Sequence, residues 1–312
     1  MIPAVSFLSK QGRSLIGDKL AEAARHFNID LRRGHRAKDW REQFRSAKNV
    51  ATWGLKIPVS EYIHRNDVLF IENALLAQRD GIWIDENGWF NQSAICKNKE
   101  FHQPATPNEV KRLQSICNRY FCWDLFEGHN KNGMLIHPMQ RGSDASVKFY
   151  FPYKTEKTGG VFAGLDFLNK YGPEYPTIIR QHPRASNVKD FGPKQFKTLW
   201  KTHWTADRSN NVYDILRNCC GLIATNSTLV TEALTLGMKV ATLGYGAFTG
   251  ANVTFECADD PTKLAHFLNW EGPKQEDVLK YLCAVLRHQI SYEDDIDVIV
   301  NNRSFKIWAE NL

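Results

Sequence analysis

From Gly221 to Leu243 three apolar runs follow one another: Gly221-Leu222-Ile223-Ala224-Thr225, Leu229–Leu236 and Lys239-Val240-Ala241-Thr242-Leu243. The first and third are short, as strands are. The middle run reads as a helix and stops at Gly237, the residue type that a helix end favours. Strands recurring at such intervals with helices between them pair in parallel, in a sheet covered on both faces.

The same alternation runs through the rest of the chain. Ile2–Leu8 reads as a strand, and Leu15-Ile16, Leu20, Ala23-Ala24 and Phe27 recur at helical spacing behind it. Asn49–Trp53, Asp67–Ile71, Gly133–Pro138 and Thr177–Arg180 read as strands, and Val212–Asn218 as a helix. Ile82–Phe90, two apolar arms around Asn87-Gly88, predicts a hairpin. Between Cys96 and Lys131 the pattern turns polar and helical, with Gly128, Asn130, Asn132 and Gly133 as punctuation. The boundary is therefore expected near residue 130, giving domains over 1–130 and 131–290 and a helical tail over 291–312 that packs back on the first. The predicted fold class is α/β, with two facing Rossmann-like domains built on parallel sheets.

Length and composition agree with two cores: 312 residues, 43% hydrophobic and 24% charged. No apolar run approaches the roughly 20 residues that cross a bilayer. The first residues carry no basic segment ahead of their apolar stretch and read as a strand rather than a leader. Seven cysteines without framework spacing point to a reducing, cytoplasmic setting, with Cys219-Cys220 as core. No Cys/His spacing suggests a metal. The net charge of +6 favours a polyanionic partner, and much of the excess lies in the charged loop-to-helix stretch Leu31–Arg41.

Two segments offer phosphate-binding chemistry. Thr225-Asn226-Ser227-Thr228 puts small polar residues where a strand runs into a helix, and free N–H groups at a helix start attract anions. Glu232, one turn in, can reach a ribose hydroxyl; an ordinary capped helix would carry the same pattern. Arg180-Gln181-His182-Pro183-Arg184 follows a strand, at the sheet edge where open α/β folds bind ligands.

These segments, with Glu232-Ala233-Leu234 ahead of Gly237, resemble the C-terminal domain of bacterial capsular-polysaccharide Kdo transferases. Leu135-Ile136-His137-Pro138-Met139-Gln140-Arg141-Gly142-Ser143-Asp144 resembles the segment that opens their donor domain. Ala51-Thr52-Trp53-Gly54 and Ile71-Glu72-Asn73-Ala74 resemble their Trp-Gly and Glu-Asp-Gly segments, with Asn73-Ala74 departing from the pattern. The resemblance covers roughly 50–95 and 133–270 and implies a GT-B-like glycosyltransferase. Residues 1–130 would then form the acceptor domain and 131–290 the nucleotide-sugar donor domain.

On that reading the co-substrate is a nucleotide sugar, CMP- or UDP-linked, and no resident cofactor or metal is needed. Glu72 is the expected base, with Asp85 and Asp80 as rivals. His182, Arg184, Ser227 and Thr228 would stabilise the departing phosphate, and Arg180, Asn226 and Glu232 would help to bind the donor. Gln140, Asp144 and Ser146 would line the donor pocket, and Arg13 and Ser14 would touch phosphate or acceptor. A capsule-type glycan is the first acceptor expected. Hydroxymethylated DNA is the second, because the basic Arg32–Arg45 stretch lies among aromatics (Trp40, Phe44, Trp53, Trp83, Trp89, Phe90) that could stack on an extruded base. A nucleotide-sugar 2-epimerase and a non-enzymatic binding module are the remaining alternatives.

Overall fold

The computed structural model describes residues 1–7, 16–33, 40–53, 59–62, 64–78, 80–140, 145–153, 163–182, 199–209 and 211–312. The chain forms two compact units, Met1–Pro104 with Cys283–Leu312, and Ala105–Leu282.

The first unit opens with β1 (Ile2–Phe7), α1 (Asp18–His26), β2 (Ile29–Arg33), α2 (Trp40–Ser46) and β3 (Val50–Trp53). It continues with β4 (Val68–Asn73), β5 (Gly81–Asp85) and the single turn α3 (Ala94–Lys97). In α1, Leu20, Ala23 and Ala24 are buried, while Asp18 and the Arg25-His26 pair sit at the ends whose partial charges they complement. Strands β2-β1-β3-β4 lie side by side in parallel. All of β3 and Val68–Ile71 of β4 are buried, as a sheet covered on both faces requires.

Two expectations fail here. Leu31–Arg33 is not loop: it belongs to β2, an edge strand whose Ile29 and Leu31 face the core and whose Arg32 pairs with Asp30 outside. Nor does Ile82–Phe90 close a hairpin. Strand β5 pairs antiparallel with β4, and beyond it Asp85 gathers the N–H groups of Asn87 (2.8 Å), Gly88 (3.1 Å) and Ala94 (2.9 Å). The carboxylate folds the Asn-Gly turn onto α3 instead of back along β5.

The second unit contains α4 (Pro107–Ile116), β6 (Met134–Pro138), α5 (Ala145–Tyr150), α6 (Ala163–Tyr171), β7 (Thr177–Arg180) and β8 (Trp204–Asp207). Then come α7 (Val212–Arg217), β9 (Cys219–Ala224), α8 (Leu229–Thr235), β10 (Lys239–Thr242) and β11 (Phe255–Glu256). Its sheet is parallel throughout, in the order β8-β7-β6-β9-β10-β11. The first strand in sequence, β6, is central, and the strand order reverses between β6 and β9. That reversal leaves a crevice at the carboxyl ends of the two strands, where doubly wound sheets hold their ligands.

The units divide after Pro104, not near residue 130. Thr106 and Glu109 form a capping box that starts α4. Further on, Trp123 donates its indole N–H to Thr235 Oγ1 (3.0 Å) and lies edge-on to Tyr213. Residues 105–130 are therefore tied to α7 and α8, and the Gly/Asn cluster marks a loop inside the unit.

Helix α9 (Gln275–Arg287) crosses the division: its residues up to Leu282 belong to the second unit and those from Cys283 to the first. There β12 (Gln289–Ser291) joins the sheet antiparallel to β5, followed by α10 (Ile296–Asn301) and α11 (Arg303–Glu310). Ile290, Ile299, Phe305 and Trp308 share one core with Ala51, Leu69 and Ile82.

Candidate active site

At the crevice of the second unit the backbone of β9 and the side chains after β6 are cross-linked. Gln140 accepts a hydrogen bond from Asn226 N–H (3.2 Å), so it bridges the strand ends rather than standing alone in a pocket. Ser227 Oγ accepts from Leu229 N–H (3.2 Å) and opens α8, while Thr228 makes no side-chain capping bond. His182 lies two residues past β7, half-buried. Asp144, Arg184, Arg13 and Ser14 lie outside the described residues, as does the side chain of Ser146, whose backbone is in α5.

Two of the expected donor contacts are directed elsewhere. Arg180 is 5% exposed, ion-paired with Asp207, and donates to Ser209 Oγ (3.0 Å) and Ser209 carbonyl (2.8 Å). A guanidinium held in this way ties the ends of β7 and β8 together. Glu232 is equally buried, and its carboxylate accepts from the Tyr213 hydroxyl at 3.4 Å. Burial pushes it up to about 8, so at neutral pH it is mainly a carboxylic acid.

One residue of this crevice was given no role in the sequence. His137, 1% exposed on β6, brings Nδ1 to 2.8 Å from the Ile223 carbonyl of β9. Burial lowers its pKa to about 4, so the ring is neutral. A polar residue within the apolar run Met134–Pro138 was the available signal.

At the carboxyl edge of the first sheet, Glu72 and Asn73 end β4, half-buried, one step beyond the last β3–β4 pair Trp53–Ile71. Glu72 Oε1 accepts from Asn73 N–H (2.9 Å) and Asn73 Nδ2 (3.0 Å). Tyr292, just past β12, has a buried hydroxyl with no hydrogen-bond partner among the described residues. Burial and the charges of Glu72 and Asp80 raise its pKa, and nothing in the local sequence pointed to it.

Asp85 is sealed in the interior, fully buried. Its carboxylate is engaged by backbone N–H groups, and burial pushes it up to about 7 against their pull and that of His288. His288 Nε2 meets Glu100 (2.7 Å), and its Nδ1 meets Ser304 Oγ (2.9 Å). Burial opposes charge on that ring, but the Glu100 hydrogen bond and the charges of Asp85, Glu100 and Glu86 outweigh it and raise the pKa. Ser304, His288 and Glu100 are connected like a hydrolytic triad, yet Ser304 is fully buried and donates to Glu86. The cluster fastens the C-terminal segment to β5 and does not present a nucleophile.

The aromatic rings expected to stack on a base are largely core. Phe44, Trp53, Trp83 and Trp89 are at most 5% exposed, with Trp89 packed on Phe70 and Trp83. Phe90 is half-buried, and the side chain of Trp40 lies outside the described residues.

A doubly wound parallel sheet with its crevice between β6 and β9, joined in one chain to a second α/β unit, places the molecule in the GT-B-like class. Residues 124–292 match the family model for capsule polysaccharide biosynthesis proteins, over more than half of the chain, and the protein belongs to that family. Among solved structures, the beta Kdo 2,7 transferase KpsC of Thermosulfurimonas dismutans aligns with TM-score 0.61 at 17% identity, over 96% of this chain and 99% of that one. The beta Kdo 2,4 transferase KpsC of the same organism gives TM-score 0.57 at 14% identity, over 89% of each. No curated protein sequence matches. At these identities the structural likeness is one of fold.

Proposed function

We propose that this protein transfers a sugar from a nucleotide-sugar donor to a hydroxyl of a capsule-type glycan. The observation that carries the reading is the β6–β9 crevice, where Gln140, Asn226 and Ser227 gather at the strand ends of the family-matching region. In the reaction the acceptor oxygen bonds to the anomeric carbon while the bond from that carbon to the phosphate oxygen breaks. The acceptor's proton passes to Glu72, which we assign as base because it ends a buried strand at the sheet's carboxyl edge. The departing phosphate takes the electron pair and is stabilised by His182 and by the backbone and hydroxyls of Ser227 and Thr228. Kdo, the sugar named for the two similar structures, is the first donor sugar to offer, as its CMP conjugate.

Glycan is preferred to DNA as acceptor for two reasons. Arg32 and Arg45 are paired with Asp30 and Glu61, and most of the candidate stacking rings are interior. The test is a melting-temperature panel with CMP, UDP, GDP and TDP, followed by transfer assays with the matching nucleotide sugars. One nucleotide is expected to stabilise the protein, with the shift lost in His182→Ala. Glu72→Gln is expected to keep nucleotide binding and to lower turnover by about a hundredfold or more. Transfer to hydroxymethylated DNA but not to glycan would reverse the acceptor assignment. Donor turnover without any acceptor would point to the epimerase, and a folded protein that no nucleotide stabilises would sink the reading.

A further inference from the structure

At the ends of β6 and β9 two buried polar side chains each have an atom with no hydrogen bond among the described residues. His137 Nδ1 lies 2.8 Å from the Ile223 carbonyl. A carbonyl only accepts, so Nδ1 carries the ring proton and Nε2 is left with a bare lone pair. Among the described residues no hydrogen bond reaches Nε2, although the side chain is 1% exposed. Thr225, 3% exposed at the end of β9, also has no hydrogen bond on its hydroxyl among the described residues.

A third element closes on both. Gly164 sits in the first turn of α6, a helix of nine residues. A Cβ at this position would stand 2.9 Å from Thr225 Oγ1, 3.1 Å from His137 Cε1 and 3.2 Å from His137 Nε2. Glycine therefore lets the first turn of α6 pack closely against the two polar groups. The amino end of a helix carries the positive end of its dipole.

The chemistry of the three parts is unusual in combination. Nε2 needs a hydrogen-bond donor, the helix end needs an acceptor, and the Thr225 hydroxyl can serve as either. A phosphate or carboxylate would satisfy the helix and collide with the Nε2 lone pair. An ammonium group would satisfy Nε2 and be repelled by the helix end. A hydroxyl satisfies all three. We propose that His137 Nε2, Thr225 Oγ1 and the amino end of α6 form a buried recognition point for one hydroxyl of the bound nucleotide sugar. Either the ribose or the transferred sugar can supply it. The inference rests on the donor-site reading and adds a specificity contact to it.

The test is calorimetric titration of wild type, His137→Asn and Thr225→Val. Asn keeps an amide N–H near the position of Nδ1 and removes Nε2; Val keeps the shape of Thr and removes the hydroxyl. The probes are CMP and UMP, their 2′-deoxy and 3′-deoxy forms, and intact CMP- and UDP-linked sugars. Each variant is expected to weaken binding of its preferred probe by about tenfold, the worth of one buried hydrogen bond. A loss seen with a ribonucleotide and absent with its deoxy form assigns the contact to the ribose. A loss seen only with the intact nucleotide sugar assigns it to the transferred sugar. Equal losses on ribo and deoxy forms, or wild-type affinity in both variants, would overturn the recognition point and leave the donor site standing. If wild type binds none of the probes, both readings fall. Thr225→Val carries the test should His137→Asn melt too low to titrate.

Discussion

Glu72, Asp85 and Glu232 carry one functional group into three environments. Glu72 ends a strand and is half-buried, Asp85 is sealed inside and holds a turn by its backbone N–H groups, and Glu232 is buried against Tyr213. Sequence marks all three as acids near strand or helix ends; only burial separates a candidate base from a structural pin. For Glu232 the consequence is measurable. Its pKa is about 8 when folded against an ordinary 4.5, so between those values the folded state holds a proton that the unfolded chain has released. Stability therefore falls as pH rises from about 4.5 to 8. The raised value at Asp85 acts in the same direction, and the raised pKa of His288 does so as pH climbs through it. Denaturant titrations at pH 5.5 and 8 should show a clear decrease for wild type. Glu232→Gln should shrink that decrease by ~1–3 kcal/mol. An identical pH profile in the variant would mean that Glu232 is ionised in the fold.

At the scale of elements, strands buried on both faces are legible because they are mostly apolar, as in Val68–Ile71 of β4 and Gly221–Ala224 of β9. Edge strands are not. β2 turns Asp30 and Arg32 outward and looks like a charged loop until β1 supplies its partner. β12 is three residues long and has no signal apart from the neighbour it pairs with. That neighbour imposes a glycine: a Cβ on Gly81 would stand 1.9 Å from the Ile290 carbonyl. Gly81→Ala should separate β12 from β5 and destabilise the first unit by ~2–4 kcal/mol. Hydrogen exchange should report it as lost protection at Gln289–Ser291, while β9 and β10 remain protected.

At the scale of the whole chain, the first unit is assembled from both ends of the sequence. Phe305 and Trp308 of α11 are fully buried in a core that also contains Ala51 and Ile82. Removing Arg303–Leu312 takes away both rings and the Arg303–Glu100 ion pair, leaving Glu100 buried with less compensation. A loss of more than about 5 kcal/mol is expected, enough to unfold a unit of ordinary stability. Limited proteolysis should then cut within residues 1–104 well before it cuts within 105–282; equal resistance to wild type would contradict this core.

Sequence by itself determined the fold class, because a strand buried on both faces is mostly apolar and a crossover helix must separate it from the next. It also placed Glu72 and Thr225–Thr228 at the carboxyl edges of their sheets. Tertiary structure decided which polar groups remain available there. Arg180 is taken by Asp207, Asp85 by three N–H groups and Glu232 by burial, whereas His137 and Thr225 come together only when β6, β9 and α6 meet. A hydrogen-bond partner distant in sequence leaves no periodicity or spacing in the chain, so its presence is known only once the strands have been placed side by side.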